Sequence, residues 1–265
     1  MAEINFATVL LGAAGFTEGN VNETYRGQVL LHGGEIRQAI IKDLDLIQLC
    51  NELLAFCLAR RLGLPIPDSF LGLVRPDILS VNKAPALPDG SRLVFVSTDV
   101  KVPNVTFRLR ASTPIGKRAI IDQISKWPDL GKLYAFDAWI ANIDRHCGNL
   151  LFGSVGDTWL IDHGHCFTGP TWGPSDLDPA KEFASRLSEW MTPFLSTDQK
   201  DTRRTEAQAF EAALAGFDAE EPTKSSRVVD LMPMNYVDAL KLFLTQRSAQ
   251  VTFHASKALN VPVML

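Results

Sequence analysis

A junction between two rigid elements constrains this chain more than any other feature. An apolar, helix-patterned stretch from Leu130 to Ile143, with Leu133, Phe136, Ile140 and Ile143 at helical spacing, runs into the polar string Asp144-Arg145-His146-Cys147-Gly148-Asn149. Two short strands follow, Asn149 to Phe152 and Thr158 to Asp162, joined by a turn over Gly153 to Asp157. A turn centred between Val155 and Gly156 places Phe152 opposite Trp159, and sets Asn149 opposite Asp162 at the open end of the ribbon. An amide oxygen and a carboxylate are hard ligands suited to magnesium, which takes one or two protein oxygens and completes its shell with water and phosphate oxygens. Asp144, just upstream, suits a general base or a group that orients an attacking hydroxyl. Taken singly, Asp144, Asn149 and Asp162 read equally as caps and turn formers. Held together by a helix and a ribbon, they read as a metal and phosphate site.

The first third is β-rich: Phe6 to Leu11, Thr24 to Leu31, a His32-Gly33-Gly34 turn and Glu35 to Lys42 form strands, the last two as a hairpin. From Leu44 to Leu62 two apolar stripes predict one helix buried on more than one side, capped by Asp43 or Asp45 and stopped by Gly63 and Pro65. Leu93 to Val96 is another short strand, and the irregular Ser97 to Pro103 region marks a hinge. Beyond it the pattern is mainly helical: Ile120 to Lys126, Leu130 to Ile143, Ala180 to Trp190, Asp198 to Ala215 and Asn235 to Leu259, with a polar interruption around Glu220 to Arg227. The expected organisation is α+β, with a small β-rich lobe carrying one helix over residues 1–98 and a larger, mainly helical lobe over 99–265.

With 46% hydrophobic and 21% charged residues the chain can bury a sizeable core. A net charge of −4 gives no global reason to bind nucleic acid or an anionic membrane, so direct nucleic-acid binding is not predicted and any phosphate site must be local. The start lacks the pattern of a signal peptide and no apolar run is long enough for a membrane span, so the expected location is cytoplasmic. The four cysteines form no CxxC pair, which points to reduced thiols rather than a disulfide scaffold or zinc ribbon.

The string Asn142-Ile143-Asp144-Arg145-His146-Cys147-Gly148-Asn149, followed by Ile161-Asp162-His163-Gly164, resembles the NxDxHxxN motif of HipA-like serine/threonine kinases and the DRHxxN and DFG-type motifs of phosphatidylinositol kinases. Ile40-Ile41-Lys42 is similar to the strand bearing a kinase's nucleotide lysine, and Asn51-Glu52-Leu53-Leu54 with Leu62 to Pro67 resembles the HipA-like helix and its exit. The resemblance spans about residues 40 to 167 and implies a bilobal protein-kinase-like fold using ATP and Mg²⁺. It further implies that Asp144 is the catalytic aspartate, that Asn149 and Asp162 hold Mg²⁺, that Lys42 contacts nucleotide phosphates and that His146 orients Asp144 or the γ-phosphate. Glu52 on a buried helix needs a compensating charge, and Lys42 is the proposed partner. The segment Gly12 to Gly19, through Gly15 and Gly19, can bring backbone N–H groups close to phosphates, though it is not a Walker sequence.

The chain departs from the family pattern at His163, where a phenylalanine usually follows the metal-binding aspartate, and it is shorter than full-length HipA toxins, leaving no clear room for their extra N-terminal subdomain. The first choice of acceptor is a protein Ser or Thr, ahead of a lipid or small molecule, with the Thr168 to Pro179 loop as acceptor-binding or activation segment. A regulatory or antitoxin partner and a toxin or defence role follow from the resemblance alone. Two other classes stay open: a non-catalytic kinase-like binding module, and a transition-metal hydrolase built on His146, Asp162, His163 and His165, with Asp144 as an optional further ligand.

Overall fold

In the computed structural model, which describes residues 3–15 and 23–262, the first third of the chain closes into a five-stranded barrel. Its strands are β1 (Asn5–Val9), β3 (Thr24–Leu31), β4 (Ile36–Lys42), β5 (Ser69–Val74) and β6 (Arg92–Thr98), with the two-residue β2 (Ala14–Gly15) alongside β3. β1 pairs in parallel with β5 and antiparallel with β3, which joins the two ends of the sheet and leaves no long free edge. Alternation along the strands sends Val9, Val29, Ala39, Ile41, Val94 and Val96 into the barrel. By the same alternation Lys42, next after Ile41, leaves on the outer face.

The helix α1 (Leu46–Arg61) follows at once and is buried from Gln48 to Ala59. Asp45 caps it, accepting from the Gln48 N–H at 3.0 Å, and Gly63 (φ +70°) ends it by adopting the left-handed conformation that glycine tolerates. Asp43 is used elsewhere: its buried carboxylate accepts the backbone N–H groups of Asn82, Lys83 and Ala84 and pins that loop to the barrel. On one side α1 packs against the barrel strands and on the other against the C-terminal helices.

The second part of the chain is helical: α2 (Val105–Ala111), α3 (Pro114–Ser125), α4 (Leu130–Trp139), α5 (Leu187–Trp190), α6 (Thr197–Ala213), α7 (Glu220–Ser225), α8 (Val228–Leu231), α9 (Met234–Arg247) and α10 (Val251–Leu259). It is broken by the ribbon of β7 (Leu150–Ser154) and β8 (Asp157–Leu160) and by the irregular stretch from 161 to 186. The molecule is thus a mixed α+β protein with a β-rich N-terminal region and a helical C-terminal region. The larger buried core runs through both, joining α1 to α4, α6, α9 and α10, while the barrel keeps a smaller core of its own.

Several elements differ from the sequence expectation. The ribbon register is shifted by one: Leu151 faces Trp159 and Phe152 faces Thr158, because a bulge between Phe152 and Ser154 leaves Gly153 without an opposite residue. Asn149 therefore lies across from Ile161, whose N–H reaches its carbonyl at 3.3 Å, and not from Asp162. α4 ends at Trp139 rather than Ile143, because Ala141 takes a positive φ of 45° that an α-helix cannot contain. Of the expected helix from Ala180 to Trp190 only α5 forms, because the carbonyls of Pro179 and Lys181 are taken by the Arg247 guanidinium. The helix expected over Asn235 to Leu259 is split into α9 and α10 by the 3-10 turn Ser248–Gln250. β5 and α2 carry no strong periodicity and were not expected.

Candidate active site

Three elements meet at Lys42. Its ammonium lies 2.6 Å from Glu52 Oε1 on α1 and 3.0 Å from Asp162 Oδ1 after β8, with the Phe95 ring 5.6 Å away. The side chain of Glu52 is 2% exposed, and its second oxygen accepts the backbone N–H of His163 at 2.9 Å. Burial alone would discharge both groups. It pushes Lys42 down, but Asp162 and Glu52 outweigh it and hold the amine above its ordinary value. Burial likewise pushes Glu52 up, but Lys42 and His163 overcome it and hold the carboxylate down at about 2. A buried pair of this kind persists because each charge is matched and hydrogen-bonded.

Asp162 reaches Lys42 through its backbone. Its φ of +64° is uncommon for a non-glycine residue and turns the side chain off the line of β8, so the carboxylate is 45% exposed although His163 next to it is buried. Arg145 holds the open end of the ribbon in place. This arginine is fully buried and donates to the carbonyls of Asn149 (2.8 Å) and Ile161 (2.7 Å) while its other nitrogens grip Asp137 at 3.0 and 3.1 Å. Asp137 also accepts from Asn142 Nδ2, and Asn142 Oδ1 accepts the Asp144 N–H. The loop before β7 thus hangs from the last turn of α4 through a chain of satisfied polar groups.

Asp144 projects from that loop with one oxygen 2.9 Å from Arg186 and the other 3.9 Å from both His146 Nε2 and His165 Nδ1. His146 Nδ1 accepts the Gly148 N–H at 2.9 Å, so in the neutral ring the proton sits on Nε2, on the side of Asp144. A Cβ at 148 would lie 2.6 Å from the His146 ring, so any larger residue there would displace that ring. Asn149 donates its amide to the Asp144 carbonyl at 2.8 Å, which leaves its side-chain oxygen as the atom able to face a cation.

The loop after Asp162 is riveted to α1 by Asn51, which donates to the carbonyls of Gly164, Cys166 and Gly169 and accepts from Trp172 Nε1. His163 points inward, 1% exposed, its ring edge-on to Phe136 and its pKa lowered by burial and by Arg145. It is therefore no companion to His146 and His165, and among the described residues no group of three or more His, Cys, Asp and Glu side chains is placed to hold a metal. His163 thus stands apart from the other residues of the transition-metal reading. An amide oxygen and an exposed carboxylate, by contrast, fit the few hard ligands magnesium takes from a protein.

Of the residues singled out from sequence, Lys42, Glu52 and Asp162 are in contact, and Asp144, His146 and Asn149 share one loop. Gly15 lies in β2, exposed and paired with Tyr25, and Gly19 lies outside the described residues. Sequence reasoning missed the structural work of Asp137, Arg145 and Asn51. Each is a polar residue in an apolar stretch or inside the motif, which is the signal that was there to read. Arg186 had no such signal, since it lies in the stretch read as a helix from Ala180 to Trp190 and meets Asp144 only through the fold.

Comparison with curated proteins finds no match. Among the described residues no helix is long and apolar enough to cross a membrane. The family description "HipA-like kinase" matches residues 40–209, which covers Lys42, Glu52, the Asp144 loop, Asp162 and Arg186 together. With well over half of its length matched, the chain belongs to the HipA-like kinase family, which implies kinase activity and the use of ATP.

Proposed function

We propose that this chain transfers the γ-phosphate of ATP to a hydroxyl, with a protein Ser or Thr as the acceptor, and that residues 1–98 and 99–265 act as the two lobes of a kinase-like fold. The observation that carries the reading is the triple contact of Lys42 with Glu52 and Asp162, which places a charged amine and an exposed carboxylate side by side next to the Asp144 loop. In this reading Lys42 neutralises nucleotide phosphate oxygens, and Glu52 keeps it charged and in place. Asn149 and Asp162 hold Mg²⁺, which when bound supplies positive charge to the phosphates. Asp144 Oδ2 accepts the proton of the acceptor hydroxyl, while Arg186 and His146 fix the orientation of the carboxylate. The Gly12 to Gly19 segment covers the phosphates in the same proposal. A cytoplasmic setting and a regulatory or antitoxin partner belong to it through the family alone.

The test is transfer of labelled phosphate from γ-labelled ATP with Mg²⁺ to a mixed protein extract and to the chain itself. Asp144→Asn and Asp162→Asn are expected to reduce transfer to background while melting curves stay close to wild type. Undiminished transfer in either variant sinks the assignment. Nucleotide binding without any transfer by the wild type points instead to a non-catalytic binding module.

A further inference from the structure

A cavity of about 540 Å³ opens between α2, α3 and α5 beside the Asp144 loop. Its walls are apolar, formed by Leu109, Ile121, Trp190 and the half-exposed Phe194. At its rim stand Arg110, Lys117 and Arg118, all exposed, and among the described residues none of the three is ion-paired or hydrogen-bonded through its side chain; no acidic residue lines the cavity. The volume is that of a ligand pocket, roughly 300–1,000 Å³. In a chain of net charge −4, three unpaired cations around an apolar hollow form a local reversal of sign.

The cavity is tied to the site chemistry by short, directional contacts. Trp190 Nε1 donates to the carbonyl of Arg145 at 2.8 Å, between Asp144 and His146 in sequence. Cys147, also in the wall, lies 3.1 Å from Thr106 on α2 through its sulfur. α2 is pinned to the ribbon as well: Asn104, its cap, bridges to Leu151, and Arg108 donates to the carbonyls of Phe152 and Gly153. Whatever sits in this cavity is held at a set distance from Asp144.

We propose, resting on the kinase reading above, that this cavity docks the acceptor, and that the acceptor is a protein segment bearing a large apolar side chain flanked by acidic residues. The apolar walls take the side chain and the cation rim takes the carboxylates. Three cations are fewer than the four to eight or so with which a basic surface holds an anionic bilayer, which favours a peptide over a membrane.

The test uses the full chain and fluorescein-labelled peptides with one central serine. One carries phenylalanine and glutamates around it, a second replaces the phenylalanine by alanine, and a third replaces the glutamates by lysines. Phosphatidylserine–phosphatidylcholine vesicles and a single-stranded RNA serve as further probes. Binding is read by anisotropy or co-sedimentation without ATP, so it does not depend on catalysis. The phenylalanine–glutamate peptide is expected to bind tightest, with each replacement costing about tenfold or more. Lys117→Glu with Arg118→Glu is expected to turn the preference toward the lysine peptide, and Phe194→Ser to abolish the preference for phenylalanine. Melting curves check that these surface changes leave the fold intact. Equal binding of all three peptides overturns the proposal, as do unchanged preferences in both variants. Binding of vesicles or RNA alone that depends on Lys117 and Arg118 overturns it too. A peptide that docks as stated yet never receives phosphate from ATP and Mg²⁺ overturns the kinase reading and leaves the docking site standing.

Discussion

The barrel interior is lined by Val9, Val29, Ile41, Val94, Val96 and their aliphatic neighbours, whereas the core beneath the Asp144 loop encloses Asp137, Arg145, Asn149 and His163 among its apolar residues. Aliphatic burial is non-directional: it favours compactness and tolerates small shifts of any one side chain. The polar network is directional, because Arg145 fits only where Asp137 and two carbonyls meet its guanidinium. The barrel thus supplies a rigid wall that carries Lys42 on its outside, and the polar network sets where Asp144, Asn149 and Asp162 stand. Stability and site geometry are held by different physics in the two regions.

The sharpest way to break this contrast is Arg145→Met. Leaving Asp137 buried and unpaired should cost about 3–5 kcal/mol in denaturant unfolding and remove phosphate transfer. Adding Asp137→Leu should return much of the stability, since two apolar groups can replace a buried pair, but not the transfer. Recovery of both would mean that the network serves stability alone. Next in size is Glu52→Gln, which leaves Lys42 beside Asp162 without its buried counter-charge. Transfer measured as kcat/KM for ATP should fall roughly 10–100-fold, the usual loss when a group orienting a metal ligand's partner is removed. An unchanged value would make Glu52 a packing residue.

In the barrel, Ile41→Val should cost only about 0.5–1.5 kcal/mol and leave transfer at the wild-type level per folded molecule. A loss of transfer there would show that the aliphatic core also sets site geometry. A further effect is an acid limb of stability. His163 titrates below its ordinary 6.5 when folded, because it is buried and lies near Arg145, so below pH 6.5 the unfolded chain binds a proton the folded chain does not and stability falls. His254, pushed down to about 4 by burial and Arg247, adds to the loss over the same range. Glu52, held at about 2, extends it downward from 4.5. The stability that these three groups contribute is therefore fully present only above pH 6.5. Chemical denaturation across pH should show a shallower loss below 6.5 in His163→Phe, while an unchanged slope would assign the limb to other groups.

Much of the site was legible as a string. The spacing from Asp144 to Asn149 and on to Asp162 needed no coordinates, and the strand ending at Lys42 followed from its β-branched run and the Gly33-Gly34 turn. The pairing of Lys42 with Glu52 was readable because a carboxylate on an all-round apolar helix requires a counter-charge. The ribbon register was misread by one residue, since Gly153 reads equally as the start of the turn or as a bulge and alternation alone cannot count an unpaired residue. The early end of α4 escaped for a related reason: apolar residues continue past Trp139, and only the positive φ of Ala141 stops the helix.

By itself the sequence determined the α+β character, the order of the elements and the short polar string around Asp144, because these depend on periodicity and on residues close together along the chain. Tertiary structure alone decided that β1 closes the barrel, that the left-handed backbone of Asp162 delivers its carboxylate to Lys42, and that Arg186 reaches Asp144. Each of these joins residues far apart in sequence. Such contacts are selected by what the folded core can satisfy, and local propensity carries no record of them.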